Sequence, residues 1–342
     1  MQKNAKNVLL LGSEHPYSAE SILSGLPHID TSIDHFKSLE RYCELDPGQS
    51  ALFEENKAKI LGANVHVVMS MVTDPTFYFY DVINTVETVK EYGAASVHLV
   101  MPFIPFARQD RPFENRMVSI MAKSFPKHLK VAGVDRVTTI DMHSKASENY
   151  FTEYFGSENI TFLSANALFE TALRETLGTD EQVKFSAPDG ADKPDDVAQR
   201  QIRELEAAYY GQHSNFEQHG MGIIKKHVSV NKTVATKAFG DAKDSTVVIR
   251  DDMIDTGGTI LNAADIYQAD GSKQVIAMAT HAIFSDNSLE IVLSGNIDHL
   301  IVLDTIQGIH AKHAALPRPL QDKMTILSTV PLIKHALAPY CH

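Results

Sequence analysis

An acidic stretch that leads into a glycine-rich turn is the strongest candidate for chemistry in this sequence. An apolar run ends in two carboxylates, and the turn after them consists of Asp255, Thr256, Gly257, Gly258 and Thr259. Glycines let a backbone approach a phosphate, threonine hydroxyls can donate to it, and a helix N-terminus adds N–H groups and a favourable dipole. Residues 255–259, called the DTGGT loop below, are therefore predicted to bind a phosphorylated sugar.

The two carboxylates before this loop are Asp251 and Asp252. They are expected where a sugar diol or its bound metal would lie. An ordinary strand-to-helix turn with an Asp or Thr cap is the alternative interpretation of the whole stretch.

A second stretch, residues 105–111, combines basic and amide side chains after a candidate strand, and we call it the basic loop. Its polar members are Arg108, Gln109, Asp110 and Arg111. Guanidinium groups match the geometry of a polyphosphate, and Gln109 can contact an adenine edge. The sequence contains no Gly-x-x-x-x-Gly-Lys-Ser/Thr motif, so an ATP site would be built without a P-loop. A solvated basic turn is the alternative.

Asp141 and His143 could take part in metal binding. They are two residues apart at the end of a candidate strand, so both side chains point to one side of a sheet. They could hold Mg²⁺ directly or through water, although Mg²⁺ prefers oxygen ligands. A capped strand end with a buried histidine is the alternative.

The elements that must position these residues follow an alternating pattern of short apolar runs and longer amphipathic segments. This pattern predicts an α/β fold with mainly parallel sheets that are covered on both faces. The candidate strands are 8–12, 65–71, 96–101, 136–141, 183–187, 222–225, 246–250, 274–279 and 299–303. The candidate helices include 80–92, 118–130, 165–177, 198–210 and 259–269. Residues 188–196 and 211–220 are expected to be loops.

Length and charge limit the class of protein. The 342 residues suffice for two domains, and polar residues near 156–159 suggest a division into 1–157 and 158–342. Lys and Arg number 31 against 43 Asp and Glu, and the net charge of −12 argues against nucleic acid and anionic membranes as partners. Two cysteines and no long apolar run predict a cytoplasmic protein.

Several of these stretches resemble motifs of the ribose-phosphate pyrophosphokinase (PRPP synthetase) family. Residues 251–259 are similar to the phosphoribosyl-binding loop that this family shares with type I phosphoribosyltransferases, whereas the basic loop resembles the ATP loop of the pyrophosphokinases. The resemblance implies two tandem type I phosphoribosyltransferase-like domains, α/β in class. It also implies Mg²⁺-dependent transfer of diphosphate from ATP to the 1-hydroxyl of ribose 5-phosphate, giving PRPP and AMP.

The resemblance further assigns roles to individual residues. It implies that Lys226 is catalytic on a flexible loop, and that His143 and Asp189 contact the metal, with Asp141 beside them. The ATP-binding residues that it implies are Phe36, Glu40, Arg108, Gln109, Asp110 and Arg111. The ribose-phosphate-binding residues that it implies are Asp251, Asp252, Asp255, Thr256, Gly257, Gly258 and Thr259. A homo-oligomer, a dimer or a hexamer, is expected, with ATP near a subunit interface.

The sequence departs from the family pattern at three loops. Ala191 replaces a second glycine after Asp189, Val228 stands where the family has a loop arginine, and residues 35–40 lack a central aspartate. These departures leave three alternatives open. The same chemistry could act on a larger acceptor such as ADP-ribose, in NAD metabolism. The chain could instead be a phosphoribosyltransferase that consumes PRPP, or a non-catalytic subunit associated with a synthetase.

Overall fold

The computed structural model describes residues 6–11, 28–29, 55–70, 74–112, 117–178, 182–188, 197–229 and 232–340. For residues 28–29, 222–229 and 232–239 the description covers the backbone alone. The chain forms two compact units. The first consists of residues 1–140, 146–163 and 329–342, and the second of residues 141–145 and 164–328. Within the described ranges, no helix is long and apolar enough to cross a membrane.

The first unit is built on a parallel sheet with the strand order β2-β1-β3-β4-β5-β6. The strands are β1 (Asn7–Leu11), β2 (His28–Ile29), β3 (Asn64–Val68), β4 (Ser96–Val100), β5 (Arg136–Ile140) and β6 (Ile160–Leu163). In β1, β3, β4 and β5 every residue after the first is buried. Such continuous burial is typical of parallel strands whose two faces are both covered.

Three helices follow strands of this sheet. They are α1 (Pro75–Glu91), α2 (Met121–Ala132) and α3 (Lys145–Phe155). The α1 helix begins where Asp74 accepts hydrogen bonds from the backbone N–H groups of Thr76 and Phe77, with a proline in the first turn. The α2 helix ends at Gly133, whose φ of 105° lies in the left-handed region that favours glycine.

The second unit is built on a sheet with the strand order β13-β12-β11-β10-β7-β8-β9. The strands are β7 (Val183–Ser186), β8 (Gly220–Ser229), β9 (Lys232–Phe239), β10 (Thr246–Ile254), β11 (Gln274–Ala282), β12 (His299–Leu303) and β13 (Met324–Leu327). All neighbours pair in parallel except β8 and β9, which form an antiparallel hairpin. The carboxyl ends of the parallel strands therefore meet at one edge, where α/β proteins bind ligands.

The helices of the second unit lie between these strands in sequence. They are α4 (Asn166–Leu177), α5 (Val197–Tyr210), α6 (Phe216–His219), α7 (Gly258–Ala269), α8 (Ser288–Ser294), α9 (Ile309–Ala314) and α10 (Arg318–Gln321). The next helix, α11 (Val330–Leu337), returns to the first unit. There Ile333 and Leu337 pack against a cluster made of Leu9, Leu11, Val68 and Val100.

The structure confirms the predicted α/β class with two mainly parallel sheets and differs in several boundaries. Residues 160–163, expected to open a second block, form β6 at the edge of the first sheet. The compact units therefore divide the chain differently from the expected 157/158 boundary. Residues 211–220, expected to be a loop, contain a 3₁₀ turn at Gly211–His213 and α6, and Gly220 begins β8.

Candidate functional site

The DTGGT loop connects β10 to α7 and contains two glycines in different environments. Gly257 is buried, has a φ of +78°, and would place a Cβ in steric overlap with Cγ2 of Val292. Gly258 opens the helix with no neighbouring heavy atom within 4 Å of a Cβ built on it. Thr256, Gly258 and Thr259 are exposed. The backbone N–H groups and hydroxyls at the first turn of α7 thus face open space, as a phosphate site requires.

A turn at residues 283–286 supports Asp255 at the start of this loop. The hydroxyl of Ser285 donates to the Asp255 carboxylate, and Ser288 Oγ donates to the Asp255 carbonyl over 2.7 Å. Lys312 Nζ donates to the carbonyls of Ile283 and Phe284 over 3.0 and 2.7 Å. Burial lowers the pKa of Lys312, while the charge of Asp255 acts in the opposite direction. One lysine therefore fixes the turn that holds the DTGGT loop.

Asp252 and His143 are brought together although they are far apart in sequence. His143 Nδ1 lies 2.8 Å from Asp252 Oδ2, where the histidine side chain is 24% exposed and the aspartate 8%. Burial acts to raise the pKa of Asp252, but the hydrogen bond and charge of His143, together with the charge of His281 and a hydrogen bond with Asp251, hold that pKa below its ordinary value. Asp252 is thus an ionised carboxylate that can orient the imidazole. Both residues belong to the second unit.

The strand that carries Asp251 and Asp252 is longer than expected. The predicted strand stopped at residue 250, whereas β10 runs to Ile254 and pairs with β11 as far as Ala282. Asp251 and Asp252 therefore lie inside the strand, with the Asp252 N–H donating to Asp251 Oδ1 over 2.9 Å. Strand pairing therefore fixes the backbone of both residues, which the sequence had placed at the end of the strand.

Asp141 is saturated by protein donors. Its Oδ2 accepts from Arg250 Nη2 at 2.7 Å and from Thr280 Oγ1 at 2.6 Å, and its Oδ1 accepts from Gln201 Nε2 at 3.0 Å. The backbone N–H of Ala165 adds a fourth bond at 3.3 Å. The carboxylate is 2% exposed and is part of a structural network of these donors, and the metal role of Asp141 stays a prediction.

The basic loop lies in the first unit and has a fixed backbone with exposed side chains. Ser147 Oγ donates to the Ala107 carbonyl at 3.1 Å, and the Ala122 N–H donates to the Gln109 carbonyl at 3.2 Å. The side chains of Arg108, Gln109 and Arg111 are exposed. Asp110 differs, because it is buried with Oδ1 3.7 Å from Arg111 Nε. Asp110 supports the loop, whereas its neighbours face solvent.

Lys226 lies within a strand and not in the expected loop. It belongs to β8, and its backbone is paired with Val234 of β9 across the antiparallel hairpin. The predicted strand ended at Lys225 because the apolar run stops there, but strand pairing with β9 continues to Ser229. Phe36, Glu40 and Asp189 lie outside the described residues.

The residues present fit a Mg²⁺ ion that arrives with a nucleotide. A carboxylate on Nδ1 favours the histidine tautomer with its lone pair on Nε2, which is the usual arrangement of a metal-binding imidazole. In the part of the chain that the structure describes, no group of three or more His, Cys, Asp or Glu could hold a metal. Mg²⁺ commonly takes one or two protein ligands together with substrate phosphates and water. His143 can serve as one such contact.

Sequence reasoning missed the residues that hold this site in place. Arg250, Gln201 and Thr280 bond to Asp141, and Lys312 bonds to the turn whose Ser285 contacts Asp255. One signal was present, since Arg250 follows Val247, Val248 and Ile249 in a strand that had to be buried. Arginine is almost never buried unless it is paired.

Two family models match the chain. One, described as the N-terminal domain of ribose phosphate pyrophosphokinase, matches residues 8–133. The other, described as a phosphoribosyl synthetase-associated domain, matches residues 196–316. The two matches fall in different compact units for most of their length.

Curated relatives and a solved structure agree with these matches. The chain is 27% identical over 290 residues to a ribose-phosphate pyrophosphokinase of Campylobacter jejuni, covering 82% of this chain and 81% of the relative. It is 29% identical over 281 residues to ribose-phosphate pyrophosphokinase 1 of Streptococcus mutans, covering 81% and 79%. The crystal structure of phosphoribosylpyrophosphate synthetase from Mycobacterium smegmatis shares the fold, with a TM-score of 0.76, 24% identity and coverage of 98% and 99%.

Proposed function

The chain belongs to the ribose-phosphate pyrophosphokinase family, and on this premise we propose that it transfers diphosphate from ATP to the 1-hydroxyl of ribose 5-phosphate. The products are PRPP and AMP. The observation that carries the proposal is the contact between His143 and Asp252, because it brings the histidine proposed for metal binding to the strand that leads into the DTGGT loop.

The ribose phosphate is bound by the second unit. The exposed first turn of α7 offers backbone N–H groups, and Thr256 and Thr259 offer hydroxyls, to the 5-phosphate. Asp251 and Asp252, held in β10, accept hydrogen bonds from the sugar hydroxyls. The loop thereby fixes the acceptor by its phosphate and its diol, which leaves the 1-hydroxyl as the reacting group.

The nucleotide is bound through the exposed side chains of the basic loop. Arg108 and Arg111 pair with the polyphosphate and Gln109 contacts the base, while the fixed backbone of this loop limits the entropy that binding must cost. Phe36 and Glu40 are proposed as further nucleotide contacts from the family motif.

The chemical step is the attack of the 1-hydroxyl oxygen on the β-phosphorus of ATP. The new oxygen–phosphorus bond replaces the bond between the β-phosphorus and the bridging oxygen, which leaves with AMP, and the proton of the hydroxyl is released to water. Lys226 stabilises negative charge on the transferred group. His143 and Asp189 would hold Mg²⁺, which supplies charge neutralisation on the ATP oxygens when bound.

Product analysis with a panel of acceptors tests this function. Purified protein with Mg-ATP is expected to release AMP with ribose 5-phosphate and to form an equal amount of PRPP. AMP release with ADP-ribose alone would assign the chain to the larger acceptor. Modification of a base by PRPP without ATP would support a phosphoribosyltransferase, and the absence of AMP release with every acceptor would contradict the proposal and favour a non-catalytic subunit.

Assembly and location follow from the same family premise. We expect a homo-oligomer, a dimer or a hexamer, in the cytoplasm, without nucleic acid or membrane as a partner. Light scattering coupled to size-exclusion chromatography measures the assembly, and a monomer at micromolar concentration would contradict that expectation.

A further inference from the structure

We propose that Arg250 is a positioning residue for the reaction, because its buried ion pair with Asp141 fixes the segment that carries His143. The inference rests on the proposed function in one respect, namely that His143 contacts the metal. The proposal gives a role to Arg250, a charged residue inside a buried strand that lies just before the stretch resembling the family motif. The three residues named here all belong to the second unit.

Arg250 is among the largest fully buried side chains, with 1% of its surface exposed. Nη2 donates to Asp141 Oδ2 at 2.7 Å and Nη1 donates to Gln201 Oε1 at 2.5 Å, while the guanidinium carbon lies 5.3 Å from the centre of the Phe169 ring. Nε is buried without a partner. Removing Asp141 or Arg250 alone would leave the other charge buried and uncompensated.

The backbone of Asp141 is held in a conformation that its side-chain contacts stabilise. Its φ of +43° lies in the left-handed region, which is unfavourable for a residue other than glycine. Its side chain closes a ring with Arg250 and Gln201 and accepts a further bond from Thr280. Since this ring anchors Asp141, it also fixes the direction in which the chain continues to the buried Met142 and then to His143.

Two side-chain contacts join β10 to the segment that carries Asp141 and His143. Arg250 and Asp252 are two apart on β10, and Asp141 and His143 are two apart on the facing segment. The buried contact is Arg250 with Asp141, and the partly exposed contact is His143 with Asp252 at 2.8 Å. The buried ion pair therefore sets the distance at which Asp252 can accept the Nδ1 proton. That hydrogen bond keeps the lone pair on Nε2.

We expect variants of Arg250 and Asp141 to lose activity as do variants of other residues that orient a metal-binding histidine. Loss of such a partner commonly lowers activity about 10- to 100-fold. We expect this loss in kcat for Arg250→Met and for Asp141→Asn, with the KM for ribose 5-phosphate changed much less. Because both residues act through one contact, the double variant should lose no more than the worse single variant.

The histidine tautomer gives a readout that does not depend on turnover. In protein labelled with ¹³C and ¹⁵N at histidine, the His143 signals are assigned by their loss in His143→Asn. Wild type is expected to show one tautomer, with the proton on Nδ1, and Arg250→Met a mixture of both. If wild type released no AMP, the proposed function would fail, and the tautomer comparison would still decide this inference.

Glu206→Gln is the matched control. Glu206 is another buried carboxylate of the second unit, and it accepts bonds from the Asn215 N–H and from His219 Nδ1, each at 2.8 Å. The Glu206→Gln substitution should lower the melting temperature, as Arg250→Met does, and should leave kcat and the His143 tautomer unchanged. An equal fall of kcat in Glu206→Gln would show that general destabilisation is responsible and would overturn the proposal.

A milder variant keeps the proposal testable if Arg250→Met does not fold. Thr280→Val removes only the 2.6 Å bond from Thr280 Oγ1 to Asp141 and keeps the shape of the side chain. It should move kcat and the His143 tautomer in the same direction by a smaller amount. A folded Thr280→Val or Asp141→Asn variant with the wild-type tautomer and wild-type kcat would overturn the positioning role.

Discussion

At the scale of single residues, the two glycines of the DTGGT loop are glycines for different physical reasons. Gly257 combines a φ of +78° with a close approach to Val292, so its missing Cβ is a requirement of the fold. Gly258 has neither constraint within the protein. Its missing side chain instead leaves open space at the helix N-terminus, where the proposed phosphate would approach.

Substitution of each glycine by alanine should separate these reasons. Gly257→Ala is expected to lower the free energy of unfolding by about 2–4 kcal/mol, from backbone strain and overlap with Val292. Gly258→Ala should change stability by less than about 1 kcal/mol but weaken the binding of ribose 5-phosphate. Thermal unfolding and initial rates measure the two effects. Equal losses of stability in the two variants would contradict this assignment.

Lys226 provides a direct test of charge stabilisation in the transition state. Lys226→Ala should lower kcat by about 100- to 1,000-fold, because a cation near the transferred group acts mainly in the transition state. Lys225→Ala removes the same charge from the neighbouring position of β8 and should retain most of the activity. Unchanged turnover in Lys226→Ala would remove this lysine from the mechanism.

At the scale of elements, the turn at residues 283–286 connects α9 to the DTGGT loop. Phe284 and Asp286 have φ values of 47° and 52°, which are unfavourable for these residue types. The N–H groups of Ile283 and Phe284 donate to the Ile254 carbonyl, and Lys312 donates to the carbonyls of the same two residues. The turn is thus held from both sides.

Lys312→Met should weaken this support without removing a group that touches substrate. We expect the KM for ribose 5-phosphate to rise about 3- to 10-fold, since roughly 1 kcal/mol of hydrogen bonding to Lys312 is lost from the loop's support. Lys323→Met is a close control, because Lys323 Nζ also binds two carbonyls, those of Leu293 and Ile297. Equal changes of KM in both variants would contradict a specific role for Lys312.

In the first unit, two histidines on neighbouring strands form a buried pair. His66 Nδ1 lies 3.1 Å from His98 Nδ1, and the Tyr340 ring is 4.5 Å from that of His66. Burial, together with the charge of Arg136, lowers the pKa of His66 to about 4. Burial, with the charges of His66 and Arg136, lowers the pKa of His98 to about 3. Both imidazoles are therefore neutral in the folded protein near pH 7.

This pair predicts a loss of stability in mild acid. Below an unfolded-state pKa of about 6.5 the unfolded chain binds protons that the folded unit does not, so the free energy of unfolding falls as the pH drops from about 6.5 to 4. The slope amounts to at most about 1.4 kcal/mol per histidine and pH unit. Thermal unfolding between pH 4.5 and 7.5 should show a smaller slope for His98→Gln. The exposed His128→Gln should retain the wild-type slope, and the same slope in all three proteins would contradict the prediction.

At the scale of the whole molecule, local apolar patterns predicted most of the sheet. Buried parallel strands are continuous apolar runs, so their positions could be found from the sequence within a few residues. The strand β9 (Lys232–Phe239) has neither a continuous apolar run nor a strict alternation, because its polar and apolar residues come in pairs, and it was not predicted. The strand β6 was not predicted, because the polar residues at 156–159 resembled a boundary, whereas they connect α3 to β6 at the edge of the first sheet.

The sequence predicted the individual loops of the candidate site, but it did not predict the contacts between residues that are far apart in the chain. The DTGGT loop and the basic loop are local sequence features, and the structure places the first at a strand-to-helix junction as expected. The contacts of Asp252 with His143 and of Arg250 with Asp141 each join residues 109 positions apart. No local pattern in the sequence indicates such a pair, so the hydrogen-bond network around Asp141 could be found only from the fold.

The acidic composition of the molecule is consistent with the proposed chemistry. A net charge of −12 repels free polyphosphates at long range, but Asp251, Asp252 and Asp255 are concentrated where a cation and a sugar would bind. Phosphates are then expected to bind as magnesium complexes. Removal of free Mg²⁺ by a chelator should abolish turnover, and restoration of activity by added Mg²⁺ would show that the loss is reversible.

The fate of the β-phosphorus of ATP shows directly whether diphosphate is transferred to ribose 5-phosphate. Wild-type protein is incubated with Mg²⁺, ribose 5-phosphate and ATP that carries a label at the β-phosphorus, and the products are separated. The label is expected in PRPP, with one AMP formed for each PRPP. Label in ADP or in inorganic phosphate, or no label in PRPP, would contradict the proposed transfer of diphosphate.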